Sequence, residues 1–201
     1  MIFRKINSIF FAVLVTVLIL AGCGSGKATA VLKDSNREDV HRIAVLPVFN
    51  ETSDQQAALL LRDKIQNALY FKGYPKITAQ FVDEQLSNGQ AKEQDIQDKA
   101  EYFRALGKQM QVDAILYCDL RESRTNYYFL YSPLSVSAVF ELRSAKSGEL
   151  LWRNSYSAIK RNYGLSKDSL RLKGAQDYED AIQELVDQAM RGIPDSSDVL
   201  G

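Results

Sequence analysis

The run from Ile9 to Leu20 constrains this chain more than any other stretch, because it is apolar except for Thr16 and follows a basic start at Arg4 and Lys5. Its twelve residues fall short of the roughly 17 to 25 that a helix needs to cross the hydrocarbon core. No acidic residue occurs in residues 1–22, and the run closes on the small pair Ala21-Gly22. A basic start, a short apolar core and a small-residue end make an export signal. The fold must therefore be built from what lies downstream.

Leu20-Ala21-Gly22-Cys23 resembles the lipobox of bacterial lipoproteins at all four positions. That resemblance implies cleavage after Gly22, a diacylglycerol on the Cys23 sulfur and acylation of the new amine. Several acyl chains hold a protein almost permanently, whereas a single one gives marginal binding. An uncleaved signal anchor and ordinary secretion are the competing readings. Gly24 follows the cysteine where Asp retains many lipoproteins at the inner membrane, so the resemblance points to the periplasmic face of an outer membrane.

The whole chain carries 25 basic and 25 acidic residues; loss of Arg4 and Lys5 leaves 23 against 25, a formal charge of −2. Such a balance supplies no electrostatic reason for nucleic acid as a partner. Removing 22 of 201 residues leaves 179, enough for one well-buried domain. Cys118 then has no cysteine to pair with, and its place in Ala114-Ile115-Leu116-Tyr117-Cys118 predicts a buried, unreactive thiol. The expected organisation is a signal peptide at 1–22, a lipidated flexible tether at 23–40, a periplasmic α/β domain at 41–193 and a disordered tail at 194–201. Within the tether, Gly24-Ser25-Gly26-Lys27 mimics a phosphate-binding loop but lacks the upstream Gly and the Ser or Thr after the Lys.

Ile43-Ala44-Val45-Leu46 reads as a strand buried on both faces, ended by Pro47. Asn50 to Ser53 reads as a helix cap, followed by a helix with Leu61, Ile65, Ala68 and Leu69 on one face and Gly73 as its stop. A second strand is expected over 74–78, a short helix over 80–86 capped by Thr78, a third helix over 96–110 and the strongest strand over 113–120. Alternating strands and helices predict an α/β sheet with crossovers. The pattern then changes to hairpins. Val136, Ala138, Phe140 and Leu142 alternate with more polar residues, Ala145 to Gly148 makes the turn, and Leu150, Trp152, Tyr156 and Ala158 return on one face. After a polar stretch, Ile182, Leu185, Val186 and Ala189 form the stripe of a C-terminal helix. The fold class is a single α/β domain with a mixed β-sheet, crossover helices in the first half, a hairpin in the second and a C-terminal helix.

Tyr127, Tyr128, Phe129 and Tyr131 crowd one short segment. If it is extended, Tyr127, Phe129 and Tyr131 face one side, with Tyr128 and Leu130 on the other. Some rings can cover the core, but alternation forbids all of them doing so, and the exposed ones become a candidate interface. A membrane-spanning hairpin does not fit, because Arg121, Glu122 and Arg124 interrupt the segment.

The succession Ile43-Ala44-Val45-Leu46-Pro47 with Asn50, Gly73-Tyr74, Val112 to Tyr117 and Ser147-Gly148-Glu149-Leu150-Leu151-Trp152 resembles a bacterial outer-membrane lipoprotein family. That family is similar to the domains of the curli secretion lipoprotein CsgG, the exopolysaccharide lipoprotein PelC, the penicillin-binding-protein activator LpoB and the amino-terminal domain of TolB. The resemblance covers about residues 41 to 193, with Ser144 and Ser147 departing from its usual Asp and Thr. It implies a domain that recognises envelope proteins or copies of itself, and it carries no catalytic residues over.

Chemistry has little to work with in this composition. His41 is the only histidine, which argues against a metal site or a nucleophile triad. The carboxylate pairs Asp83-Glu84 and Asp98 with Glu101 read as solvated helix faces or charge pairs. The expected function is a lipid-anchored binding or scaffold lipoprotein, not an enzyme, accessory to envelope assembly, secretion or polymer export. Its expected partners are the membrane, through Cys23, and envelope proteins or a homo-oligomer, with no nucleic acid and no cofactor beyond the covalent lipid. A lipid-anchored hydrolase and a pore-forming subunit of an oligomeric channel are the alternatives.

Overall fold

In the computed structural model, which describes residues 40–88 and 99–196, Ile43–Val45 form β1. Ile43 and Val45 join one hydrophobic cluster and Ala44 another, so the strand is buried on both faces as its apolar run predicts. Beyond Pro47, which lacks an N–H, the chain resumes as β2 (Phe49–Asn50). Both pair in parallel with β3 (Ala114–Thr125), in registers Ile43↔Ala114 and Phe49↔Asp119. Next, β4 (Tyr131–Ser144) pairs antiparallel with β3, and β5 (Leu150–Tyr163) antiparallel with β4. The order is β1-β3-β4-β5, with β2 beside β3, a mixed sheet in a single α/β domain.

The helix α1 (Gln55–Phe71) is capped by Asp54, whose Oδ1 accepts from the Ala57 N–H at 3.0 Å. This corrects the expected cap at Asn50 to Ser53: the Asn50 side chain is engaged by Thr52 and shapes the loop before the cap. Gly73, at φ 89°, ends the helix as predicted. The expected strand over 74–78 does not form. Pro75 has no N–H to give a ladder, the Tyr74 N–H bonds back to Leu69, and the Ile77 carbonyl is taken by the Gln66 side chain.

Two helices, α2 (Ala79–Asn88) and α3 (Lys99–Met110), cover part of the face that carries Ile115 and Ala145. Thr78 caps α2 through the Phe81 N–H. The expected start of α3 at 96–98 lies outside the described residues. The other face receives α1 and α4 (Lys167–Met190), over Leu116, Cys118, Val136, Ala138, Phe140 and Trp152. The polar stretch before the C-terminal stripe is therefore structured: it completes β5 and, from a Ser166–Ser169 capping box, begins α4.

Alternation in β4 holds as read, and Gly148 takes φ 77° in the turn. One residue departs. A bulge in β5 pairs Arg143 with Leu150 and Leu142 with Trp152, so Leu150 leaves the face of Trp152 and is exposed. A second bulge, between Leu120 and Glu122, changes the parity of β3 and turns Ser123 toward α1.

The signal, Gly22, Cys23 and the tether through residue 39 lie outside the described residues, as do Asp98 and residues 197–201. Within the segment expected to be a disordered tail, residues 194–196 are docked. Tyr74 donates to the Pro194 carbonyl, Lys72 pairs with Asp195, and the Ser196 N–H bonds to Lys72 O at 2.8 Å.

Candidate protein interface at the sheet tip

The segment between β3 and β4 is not an extended strand but the end of a hairpin. The Asn126 N–H bonds to the Pro133 carbonyl at 3.0 Å and the Tyr128 N–H to the Tyr131 carbonyl at 2.8 Å. Phe129 and Leu130 occupy the corner of that turn, where no neighbouring strand or helix can cover a side chain. From Leu130 at 43% to Phe129 at 91%, residues 127–130 are all exposed. The expectation that some of these rings cover the core is overturned for Tyr127, Tyr128 and Phe129, because the sheet ends below them, while Tyr131, the first residue of β4, is half-buried.

The two-sided alternation is overturned as well. Since the turn folds the chain back, Tyr128 stacks on Tyr131 with centroids 5.9 Å apart, instead of facing away from it. Tyr131 in turn contacts Tyr163, its register partner on β5, at 5.1 Å. The result is a row of three tyrosines on the sheet face opposite α1 and α4. Aromatic pairs at such distances are worth about 0.5–1.5 kcal/mol each beyond burial, so the row stiffens the tip. Phe129 and Tyr127 enter no such ring contact and project from it.

Two members of this surface escape a reading confined to 127–131. Tyr163 ends β5 and Leu165 follows it, 94% exposed, while the Gly164 N–H bonds to the Leu130 carbonyl at 3.2 Å and holds that segment against the turn. Counting outward from the Gly148 turn through the pair Leu142↔Trp152 places Tyr163 opposite Tyr131. The signal was thus present, but it requires the strand to continue through residues that look merely polar.

Below the tip a polar hub ties three elements together. Asp54 Oδ2 accepts from the Ser123 hydroxyl at 2.8 Å and from the Tyr178 hydroxyl at 2.6 Å. Burial opposes the charge on Asp54, yet the hydrogen bonds from Tyr178, Ala57, Ser123 and Gln56 together outweigh it and hold the carboxyl below its ordinary value. Burial, followed by the bond to Asp54, pushes the Tyr178 hydroxyl well above its own.

Other sequence candidates serve structure. Asp83 accepts from both terminal nitrogens of the buried Arg62 at 2.8 and 2.9 Å, and Glu84 accepts from Gln80. Glu101 is exposed in the first turn of α3. His41 is half-buried beside β1, its backbone N–H bonded to Asp113. Cys118 is fully buried, and burial with neighbouring Asp119 raises its thiol far from reactivity. Among the described residues no group of three or more His, Cys, Asp or Glu could hold a metal. No described helix is long and apolar enough to cross a membrane.

A family model for GNA1162-like lipoproteins matches residues 30–200 of this chain. The crystal structure of lipoprotein GNA1162 from Neisseria meningitidis is similar over 75% of this chain and 98% of its own, at 24% identity and a TM-score of 0.53. A PelC dodecamer from Paraburkholderia phytofirmans is similar over 77% of this chain and 90% of its own, at 14% identity and a TM-score of 0.50. Escherichia coli LpoB, at 16% identity over 60% of this chain and 57% of its own, has a TM-score of 0.43, too low to argue from. No curated protein matches the chain.

Proposed function

The chain belongs to the GNA1162-like lipoprotein family, and from that premise we propose that it is a lipid-anchored scaffold of the outer membrane's periplasmic face, acting by binding rather than by catalysis. The observation that carries this reading is the aromatic tip. Phe129, Tyr127, Tyr128, Tyr163 and Leu165 expose a contiguous apolar surface on a domain whose core is otherwise packed, and such surfaces mark contact sites. Aromatic residues held rigid before association lose little entropy on binding and make effective anchors.

Anchoring at Cys23 after cleavage at Gly22 is supported by the lipobox, and the outer-membrane address by Gly24. Self-association is one form the contact takes, and the dodecamer of PelC, a protein of similar fold, supports it. Kinship with the CsgG and TolB domains is part of the same proposal and rests on the order of the sequence landmarks. The role follows as an accessory to envelope assembly, secretion or polymer export.

The test is purification of the full lipidated chain from membranes in mild detergent after chemical cross-linking, beside the Tyr127→Ala, Phe129→Ala variant. Cross-linked partners or homo-oligomers are expected with the parent and are lost with the variant. Identical cross-linked species in both would remove the tip from any role in assembly.

A further inference from the structure

We propose that the end of the domain opposite the aromatic tip lies against the bilayer, with Tyr70, Phe71, Lys76 and Arg191 forming a phospholipid contact surface. The inference rests on the lipid anchoring proposed above and adds a second, non-covalent attachment to it.

The geometry starts from β3, whose 12 residues span about 40 Å at the rise of a strand. The tip closes its Thr125 end. The chain from residues 1–39 joins the domain at the Ala114 end: Arg42 O accepts from the N–H groups of Asp113 and Ala114, and Val40 packs against the core there. Running back from Asp54, beside Ser123, α1 descends to Phe71 at this same end. The C-terminus of α4 arrives there too, with Gly192 against the Trp152 ring and the 194–196 segment bonded to Lys72 and Tyr74. The upstream chain and the C-terminal ends of α1 and α4 therefore share one end of the sheet.

That end carries the wrong surface for plain solvent. Phe71 is 86% exposed and Tyr70 57%, in edge contact with each other at 6.0 Å. They border a groove of about 750 Å³ between α1 and α4, lined also by Ala68, Met190 and the side chains of Lys64, Lys72, Lys76 and Arg191. Asp187 is the one acid in that lining, while Glu179 and Asp195 pair with Lys64 and Lys72 at the rim. Lys76 bonds to a neutral partner, the Asn67 side-chain oxygen, at 3.0 Å.

Rings flanked by long cationic side chains match the bilayer interface, where aromatics sit at headgroup level, apolar stems follow the acyl boundary and charges reach the phosphates. A tether from Cys23 through residue 39 reaches at most about 60 Å when extended, so it permits this contact without enforcing it. With this end at the lipid, the tip faces away from the anchoring membrane, where a protein contact is accessible.

The experiment uses the full lipidated chain in phosphatidylethanolamine–phosphatidylglycerol vesicles whose acyl chains carry bromine, a short-range quencher of tryptophan. Phe71→Trp and Phe129→Trp chains are compared with the parent, whose buried Trp152 supplies the common background. Loss of fluorescence is expected for Phe71→Trp and not for Phe129→Trp, and Lys76→Glu with Arg191→Glu should restore part of it. Equal quenching at both positions, no quenching at 71, or quenching indifferent to the two charge reversals overturns the proposal. Flotation of the same samples separates the two readings. A chain that floats without quenching at 71 overturns this inference alone, and one that does not float overturns the anchoring as well.

Discussion

Tyr178 of α4 donates a 2.6 Å hydrogen bond to Oδ2 of Asp54, the residue whose other carboxylate oxygen caps α1. One side chain thereby joins the start of α1, the middle of α4 and, through Ser123, the upper part of β3. These are the elements directly beneath the tip.

The Asp54 carboxyl is held below its ordinary value of 3.8, so its charged form contributes stability that is complete above that value and lost as pH falls through the lower, folded value. An acid series of melting temperatures should steepen below that ordinary value, and Asp54→Asn, which keeps a good cap, should flatten that limb. Tyr178→Phe should cost about 1.5–3 kcal/mol at neutral pH, and less in the Asp54→Asn background. Additive effects of the two substitutions would show that the bond contributes nothing.

The tip separates into side chains that hold it and side chains it presents. Tyr127→Ala and Phe129→Ala should leave stability within about 0.5 kcal/mol, while weakening association by about 2 kcal/mol or more if they anchor the contact. Tyr128→Ala, which removes a ring from the tyrosine row, should cost about 0.5–1.5 kcal/mol. For comparison, Phe140→Ala in the core should cost about 3–5 kcal/mol. Core-sized losses at 127 or 129, or unchanged association, would reduce the tip to packing.

Gly148 combines φ 77° with close approach, since a Cβ there would overlap the Ala100 carbonyl. Gly148→Ala should therefore destabilise by more than about 1 kcal/mol, seen as a lower denaturant midpoint at unchanged slope. A neutral substitution would mean that the turn and α3 shift apart readily.

Cys23→Ala should abolish incorporation of labelled lipid and move the protein from the membrane fraction to the soluble one. An unlipidated variant that still resists carbonate extraction would identify the apolar run as an uncleaved anchor.

With no group of three or more potential metal ligands among the described residues, a chelator should leave the melting temperature unchanged. A lower or less cooperative melt after chelation would reopen metal binding.

Where burial is a local property, the residues announced it. The unbroken run Ile43-Ala44-Val45 could be satisfied only between two layers, the alternation from Val136 to Leu142 only on a half-covered sheet, and the turn at Gly148 only with positive φ. The four crowded aromatics likewise had to leave some ring exposed. What periodicity could not report is the meeting of segments far apart in the chain. Tyr163 stands beside Tyr131 through strand register, and Asp54 beside Tyr178 through the packing of α1 on α4. The segment over 74–78 stays out of the sheet because side chains from α1 and residues near 194 satisfy it first. The separation of a ringed, lipid-suited end from an aromatic tip also depends on the direction in which each element runs, and that direction is decided by tertiary contacts, whose energies no short window of sequence contains.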